Sequence, residues 1–600
     1  MHEMNEQIIY RGPDAEGIYD GSWFSMGMRR LSIVDLKSGN QPIYNEDGSI
    51  AVVFNGEIYN HRSLRGQLKK RGHVFRTDSD TEVIVHLYEE LGPASFRKLD
   101  GMFAFSLYDG REDRLYVARD KTGEKPLYYA HGGDWMCYGS ELRGLMSTGL
   151  IDRELDRDAL NLFFTYTYIP APFTIFKDAR KLKAGHYLCI EPGGGMRDRQ
   201  YWDVTVKERY AGLSYEEAKA ELRKLLNDSV KKRMDCDVPY GAFLSGGVDS
   251  GVVTALMARN SDRPVNTFTI GFEEKEYDES QNARRVSEYL GTKHHEHILS
   301  YKESAGIAEK VIGHFDEPFA DSSALPVYLV SEFASQYVKV VLTGDAGDEM
   351  FLGYDKYAVD YYLNKYLKLP AMGRKVIEGL AGRLPDQTVI SRKVNKVIGN
   401  AYMDDFTKRR RLTQLAFKEE ELQRLFVPGY ESPVPTELAR GYFDAAPLKD
   451  SLARTQYMDI KMALEGDMLT KVDRMAMCHS LETRAPMLSS RIIDFAYSIP
   501  LEYKLWGRNK KRILKEACGC LLPKGFDRLP KMGFGVPLDH WYRNEMKEEL
   551  TELLSKERLD RQGILNGAYV SEILEEHFSG RVNRKAEIWC LYVFEKWYEG

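Results

Sequence analysis

Hydrophobic positions follow two regimes along this chain. Over roughly the first 190 residues they come in short runs, "SIAVVFNGEIYN", "GMFAFSLYDGREDRLYVARD" and "PLYYAHGGDWMCYGS", broken by Gly, Asp and Asn turns, which predicts β-strands joined in hairpins. "RSLRGQLKKRG" and "DTEVIVHLYEELG" interrupt them with helical spacing, so the region reads as an α+β layered domain. "KAGHYLCIEPGGGMRDRQYWDVTV" closes it with a Gly-rich turn and a last strand. "SYEEAKAELRKLLNDSVKKRM" then starts a helix that Ser214 can cap, with Glu217 three residues on. The division falls at 1–210 and 211–600. Beyond it strand and helix alternate: "PYGAFLS" with "GVVTALMAR", "VNTFTIGF" with "ESQNARRVSEYLG", "VKVVLTG" with "DEMFLGYDKY". That order predicts an α/β doubly wound parallel sheet. From near residue 360 helices dominate, ending in "AEIWCLYVFEKWY", where Trp589, Val593 and Trp597 form a core-facing stripe.

Composition excludes more than it selects. The chain has 600 residues, 43% hydrophobic and 29% charged, with a formal net charge of −6. It is a globular protein of more than one core, with no basic excess to hold nucleic acid. Seven scattered cysteines show no disulfide framework and point to a reducing compartment. No run approaches the ~18 apolar residues of a membrane span. The first 25 residues carry charges throughout and no apolar signal segment. A cytoplasmic protein with neither membrane nor nucleic-acid partner is expected.

The chemistry concentrates in two Gly-rich turns of the second region. "FLSGGVDS" lies between a strand and a helix. Gly246 and Gly247 let backbone amides approach an anion, Ser245 and Ser250 add hydroxyl donors, and the helix start adds N–H groups. Asp249 would repel a phosphate unless a Mg²⁺ sits between them. A Walker lysine is absent. "VVLTGDAGDEMFLGY" repeats the strand, turn and helix with Asp345, Asp348 and Glu349 at a strand's carboxyl end. Asp348 is a candidate second Mg²⁺ ligand, and Asp345 a candidate proton handler. An acidic helix start accounts for any one of these acids. It does not account for a phosphate cradle and an acidic cradle recurring in one sheet.

The first turn resembles the PP-loop of ATP pyrophosphatases. With it, "FTIGFEEKEYDE", "FDEPFADSSALP", "TGDAGDEMFLGY", "KVDRMAM", "LETRAP", "KKRILKEA" and "KMGFGVPL" follow in order, and "RGPDAEG", "RRLSIVDL", "NGEIYN", "SDTEV", "LDGMFAF" and "SELRGL" precede it. Together they resemble the glutamine-hydrolysing asparagine synthetases: a class II (Ntn-type) glutaminase domain followed by an adenylating synthetase domain with a helical C-terminal part. The resemblance implies ATP and Mg²⁺ as cofactors and aspartate, glutamine or ammonia as small-molecule partners, and it leaves a homodimer open. The aspartate carboxylate attacks the ATP α-phosphorus, giving β-aspartyl-AMP and pyrophosphate; ammonia from the first domain then displaces AMP. On the same grounds Leu244 and Ile270 flank the adenosine, Thr343 and Gly344 hold the nucleotide, Asp249 and Asp348 bind Mg²⁺, Asp345 acts in the acyl-adenylate chemistry, and Lys511 faces the pyrophosphate.

In the first domain the resemblance gives Arg30 the substrate carboxylate, with Leu31, Ser32, Ile33 and Val34 as the backbone beside it. Glu57 and Asp80 take the α-amino group, and Asn55 with the Gly56 N–H forms the oxyanion hole. The nucleophile of such enzymes is a cysteine that becomes residue 1. Here no Cys precedes Cys137, the chain opens on "MHEMNEQIIYRGPD", and Tyr10 stands where the family carries His. The opening therefore reads as the tail of a longer segment, and ammonia as the nitrogen source of this chain. "RAPMLSS" departs from the family pattern by placing Ser489 at an Asp position; Ser can cap a helix equally well. Glu482 and Arg484 are weaker candidates for the substrate pocket. "HHEH" at 294–297 would alternate faces in a strand and reads as structural, as does "CGC" at 518–520. Two other readings compete: an adenylating amidotransferase of the same family acting on another carboxylic acid, of the β-lactam synthetase or peptide-tailoring kind, and a non-catalytic nucleotide-binding protein.

Overall fold

The computed structural model describes every residue except 274–277, 300–305, 382–402, 527–534, 537 and 600. Parts of two stretches singled out above, 274–277 of "FTIGFEEKEYDE" and 531–534 and 537 of "KMGFGVPL", lie outside the described residues.

The N-terminal strands are β1 (Ala15–Asp20), β2 (Ser25–Arg30), β3 (Ile43–Tyr44), β4 (Ile50–Ile58), β5 (Gly101–Asp109), β6 (Arg114–Arg119), β7 (Tyr128–His131), β8 (Met136–Gly139), β9 (Ala179–Lys181), β10 (His186–Ile190) and β11 (Met196–Gln200). Six of them make one sheet in the order β11-β10-β6-β5-β4-β3, with every neighbouring pair antiparallel. The two-residue period of β4 decides its layers. Ile50, Val52 and Phe54 face the helices His61–Lys70 and Glu82–Leu91, joining Leu64, Leu68, Val83 and Leu87. Ala51 and Val53 face the other way, onto Met26 and Met28 of β2. Each such side chain contributes ~1.5–3 kcal/mol when fully buried, so cover on both faces holds this sheet more than its turns do.

In the second region the strands are β12 (Tyr240–Phe243), β13 (Asn266–Phe272), β14 (Lys293–Leu299), β15 (Val340–Leu342) and β16 (Glu482–Arg484). All neighbours run parallel, in the order β14-β13-β12-β15-β16. The chain winds outward from β12 to β14, then returns to lay β15 on the other side of β12. The reversal makes the β12/β15 boundary a topological switch point, where the carboxyl ends of strands open a crevice. The expected capping box is present: Ser214 and Glu217 cap the helix Tyr215–Arg233 reciprocally. The helix expected over "DEMFLGYDKY" is instead two, Gly347–Phe351 and Asp355–Leu367, parted where Leu352 takes φ +56°.

The last helix, Lys585–Glu599, buries Trp589 and Val593 and half-buries Trp597, as its stripe predicts. Its partners include Arg157–Tyr166: the Phe164 and Phe594 rings lie 5.4 Å apart and both belong to one large apolar cluster. No described helix is long and apolar enough to cross a membrane.

Candidate functional site

The two Gly-rich turns meet at the switch point. The first leads into helix Val248–Asn260, whose N-cap is Gly247 with no side-chain cap, so its first N–H groups stay available to an anion. Gly246 takes φ +69°, and Ser250 Oγ accepts from the Ser245 N–H at 3.2 Å and contacts Ser245 Oγ at 3.1 Å. Glycine is required where the second turn crosses the first. A Cβ on Gly344 would lie 2.6 Å from the Ser250 nitrogen, and one on Gly347 2.5 Å from Asp249 Oδ1. Leu244 and Ile270, ending adjacent strands, are buried in two different apolar clusters.

Asp249 and Asp348 converge on one point, and a cation is there already. Lys511 Nζ donates to Asp249 Oδ2 and lies 2.7 Å from Asp348 Oδ1. Burial works against the ammonium, but the two carboxylates overrule it and hold its pKa above the usual lysine value. The pair therefore fits a divalent cation: two anionic oxygens already share one positive charge, and Lys511 has a second destination once a metal takes that charge over. Lys511 itself caps helix Arg512–Cys518 with φ +53°. Ala346, Leu352 and Lys511, three non-glycine residues with positive φ, surround this crevice. Gly353 makes the approach possible, since a Cβ there would lie 1.8 Å from Asp348 Oδ1 and 2.1 Å from Lys511 Cε. Gly353→Ala is accordingly expected to cut any turnover at this crevice at least ~10-fold, given that misplacement by ~1 Å can cost ~10²-fold. Steady-state kinetics check it, and an unimpaired variant would show that Asp348 and Lys511 need not stand where they do.

Asp345 lies behind this pair. Burial pushes its carboxyl up, and Asp249 and Asp348 add to the rise while Thr343 and Lys471 oppose it. Lys471, in "KVDRMAM", is buried and bonds Asp321 Oδ2 at 2.6 Å and Ser323 Oγ at 2.8 Å, both in "FDEPFADSS". Neither residue stands out in the sequence, since a lone lysine and a lone aspartate carry no spacing signal. Beyond Asp345 lies a cavity of about 20 Å³, bounded by Thr343 and Asp345 on one side and by Met102, Glu124 and Lys125 of the N-terminal region on the other. Burial raises Glu124 to about 8.

Met102 is the register partner of Glu57, so the second pocket begins one strand away. That pocket, of about 130 Å³, is lined by Arg30, Leu31, Ile33, Val34, Asn55, Gly56, Glu57 and Asp80. Ser32 lies outside its lining; its N–H donates to Asp14 Oδ2 at 2.8 Å. Gly56 takes φ +144°, and a Cβ there would lie 2.0 Å from the Met102 carbonyl oxygen. Glu57 is raised well above the usual carboxylate range by burial and then by Asp80, and burial raises Asp80 too. Two buried carboxylates sharing a pocket favour an ammonium group between them. Arg30 is buried; its guanidinium donates to Asn40 Oδ1 at 2.9 Å and to the Val34 and Asp35 carbonyls at 3.1 and 2.8 Å. Asn55 Nδ2 lies 3.5 Å from Ser140 Oγ.

Several expectations need correcting in detail. Glu482 lines the 130 Å³ pocket beside Glu57, whereas Arg484 is in the lining of neither pocket. Arg484, fully buried on β16, donates to Glu482 Oε1 at 2.8 Å and reaches across to Glu57 Oε2 at 2.9 Å, while its carbonyl accepts from the Thr343 N–H at 2.9 Å. Ser489 makes no side-chain cap on helix Ser490–Ser498. Asp14 accepts from the Ser32 N–H at 2.8 Å and from Lys339 Nζ at 3.2 Å. The alternation of "HHEH" is as expected: His294 and Glu296 meet at 3.6 Å on one side of β14, and His295 stacks on Phe268 on the other.

With this geometry in place, comparison with known proteins is direct. The asparagine synthase family matches residues 221–599, and the glutamine amidotransferase domain matches residues 1–202. Asparagine synthetase [glutamine-hydrolyzing] 1 of Bacillus subtilis is 32% identical over 609 residues, covering 100% of this chain and 93% of the relative. Asparagine synthetase [glutamine-hydrolyzing] 3 of the same organism is 28% identical, covering 96% and 90%. The amidase chyE of Penicillium rubens is also 28% identical, covering 95% and 90%. Among solved structures, the Bacillus subtilis glutamine phosphoribosylpyrophosphate amidotransferase is 16% identical, covering 49% of this chain and 61% of its own, and the Francisella tularensis NMN synthetase is 18% identical, covering 34% and 98%; their TM-scores of 0.24 and 0.19 are too low to bear on the site. Both halves of the molecule thus find their match in one kind of enzyme, a ligase that forms C–N bonds, and the chain belongs to the asparagine synthetase family.

Proposed function

We propose that this protein adenylates the side-chain carboxylate of aspartate and amidates it. The observation that carries the reading is the meeting of two Gly-rich turns at the switch point, with Asp249 and Asp348 aimed at one cation. Asp249 and Asp348 would hold Mg²⁺, which when bound neutralises phosphate charge and supports in-line displacement at phosphorus. Ser245, Gly246, Gly247, Ser250, Thr343 and Gly344 hold the phosphates and nucleotide, Leu244 and Ile270 bracket the base, and Lys511 turns to the departing pyrophosphate once released from its carboxylates. Asp345, with its raised pKa, is suited to exchange a proton with the incoming nitrogen. Lys471 sets the charge beside it.

The N-terminal region, taken as residues 1–210, holds glutamine: Arg30 at the carboxylate, Glu57 and Asp80 at the α-amino group, Asn55 and Gly56 at the amide oxygen, with 31–34 as the wall. The cavity between Met102 and Asp345 has room for one molecule of ammonia size, so it supports passage of nitrogen toward the acyl-adenylate. Hydrolysis of an amide needs an activated nucleophile, and among the described residues no cysteine lines this pocket. Assayed as these 600 residues, the protein is expected to take its nitrogen from ammonium.

Incubation with ATP, Mg²⁺, aspartate and ammonium is expected to yield asparagine, AMP and pyrophosphate in equal amounts, with no glutamate from added glutamine. ADP and phosphate as main products would overturn the adenylation reading. AMP release with another acid and none with aspartate would move the activity to a different substrate. Glutamate release matching product formation would overturn the nitrogen source.

A further inference from the structure

Outside both pockets, three segments of the N-terminal region bring two histidines and two glutamates together. Glu46 comes from the turn between β3 and β4, His73 from the loop after helix His61–Lys70, and His86 and Glu89 from one face of helix Glu82–Leu91. One ligand atom from each lies within 4.8 Å of all the others. His73 Nδ1 is 3.2 Å from Glu46 Oε1 and 4.0 Å from Glu89 Oε2, and His86 Nδ1 is 3.1 Å from Glu46 Oε2. Bonds of ~2.0–2.1 Å to a tetrahedral Zn²⁺ set its ligands ~3.3 Å apart along each edge.

Hydrogen bonding accounts for the approach at His73, whose Nδ1 bonds Glu46 Oε1 at 3.2 Å, but not for that at His86. His86 is fully buried, yet neither of its ring nitrogens makes a hydrogen bond, although Nδ1 stands at contact distance from Glu46. A nitrogen and a carboxylate oxygen that are close but misaligned are arranged as two donors to a third centre. The outward nitrogens have the complementary setting. His73 Nε2 meets Glu90 Oε1 at 3.1 Å, and His86 Nε2 faces Glu82 Oε1 at 3.5 Å. With a metal bound at Nδ1, each imidazole would carry its proton on Nε2, toward these carboxylates. The glutamates are held too: the Val74 N–H donates to Glu46 Oε1 at 2.9 Å, and Glu89 accepts from Asn45 at 3.3 Å and Arg111 at 3.3 Å.

We infer that Glu46, His73, His86 and Glu89 form a binding site for one divalent transition-metal cation of the Zn²⁺ class. Imidazole with carboxylate suits Zn²⁺, and the absence of thiolate sets it apart from the sulfur-rich structural sites. The metal would clamp the β3–β4 turn to the helix that begins just after Asp80.

The full-length chain, stripped with a chelator and gel-filtered, is titrated with Zn²⁺ alone against a chromophoric zinc indicator, with bound metal counted by mass spectrometry. One tight equivalent is expected. His73→Ala and Glu89→Gln, both at partly exposed positions that spare the buried His86, should weaken that equivalent at least ~100-fold, exceeding the ~10–100-fold of an outer-shell change. X-ray absorption of the loaded protein should show nitrogen and oxygen neighbours without sulfur. Failure of the wild-type chain to retain Zn²⁺, or binding of equal stoichiometry and affinity in both folded variants, would overturn the site.

Discussion

Asp249→Asn and Asp348→Asn are each expected to lower the rate of ATP cleavage by about 10²–10³-fold, or ~2.7–4 kcal/mol of transition-state stabilisation, while the chain stays folded. The substitution isolates charge from shape. Asparagine has the shape of the carboxylate it replaces, so it fits beside Gly344, Gly347 and Gly353, which pack closely on these side chains. What changes is the pull on a cation. With both acids present, Lys511 is shared between them; with one neutralised, it collapses onto the other and masks it. Loss of one charge therefore damages the site more than half. Pyrophosphate release under saturating ATP and Mg²⁺, together with circular dichroism for folding, measures it. A variant within about threefold of wild type would reduce its acid to a helix-terminal charge, for which ~0.3–1 kcal/mol is typical.

Asp473→Ala should destabilise the protein by about 3–5 kcal/mol, as expected when one partner leaves a buried ion pair. Asp473 is buried between Arg11 at 2.6 Å and Lys125 at 3.2 Å, both from the N-terminal region. Burial alone would raise its pKa, but these two cations hold it below the usual aspartate value. Arg11 retains Glu141 at 3.0 Å after the substitution. Lys125, almost wholly buried, retains no ion pair among the described residues. Its stranded ammonium carries most of the cost. The denaturant midpoint reports the loss, and a change below ~1 kcal/mol would mean that water or movement rescues Lys125.

The parts of this molecule that were legible in sequence are those whose cause is local. Alternation in "SIAVVFNGEIYN" determines which side of β4 meets the helices, and Ser214 with Glu217 closes a cap within four residues. Strand–helix order foretells the doubly wound sheet, and the glycines of both turns mark where backbone must come close. The helix break at Leu352 was partly legible in Gly353, a stop residue inside "DEMFLGYDKY"; the close approach of Lys511 to that glycine, from far along the chain, was not. Arg484 looked like a pocket residue for the same want of long-range information; only the apposition of β16 against β4 reveals Glu57 as its partner. Arg30 was identifiable as a guanidinium of the right kind, but its bonds to the Val34 and Asp35 carbonyls depend on how the following loop curls. The four-residue cluster around His86 draws on three segments, and the i, i+3 pair His86 and Glu89 is the one part of it that spacing could have flagged.

The contact between Phe164 and Phe594 sets a condition on biosynthesis. Phe164 leaves the ribosome early and packs on Phe163, Phe417 and Phe426, while Phe594, the fourth ring against it, is made almost last. At ~5–20 residues per second the interval between Phe164 and Phe594 is on the order of a minute. For that time helix Arg157–Tyr166, whose residues from Ala159 onward are all buried in the finished protein, can gain part of its cover from the rings at 417 and 426 but not the last of it. The cluster closes only when the final helix emerges, so its packing is completed at the end of translation.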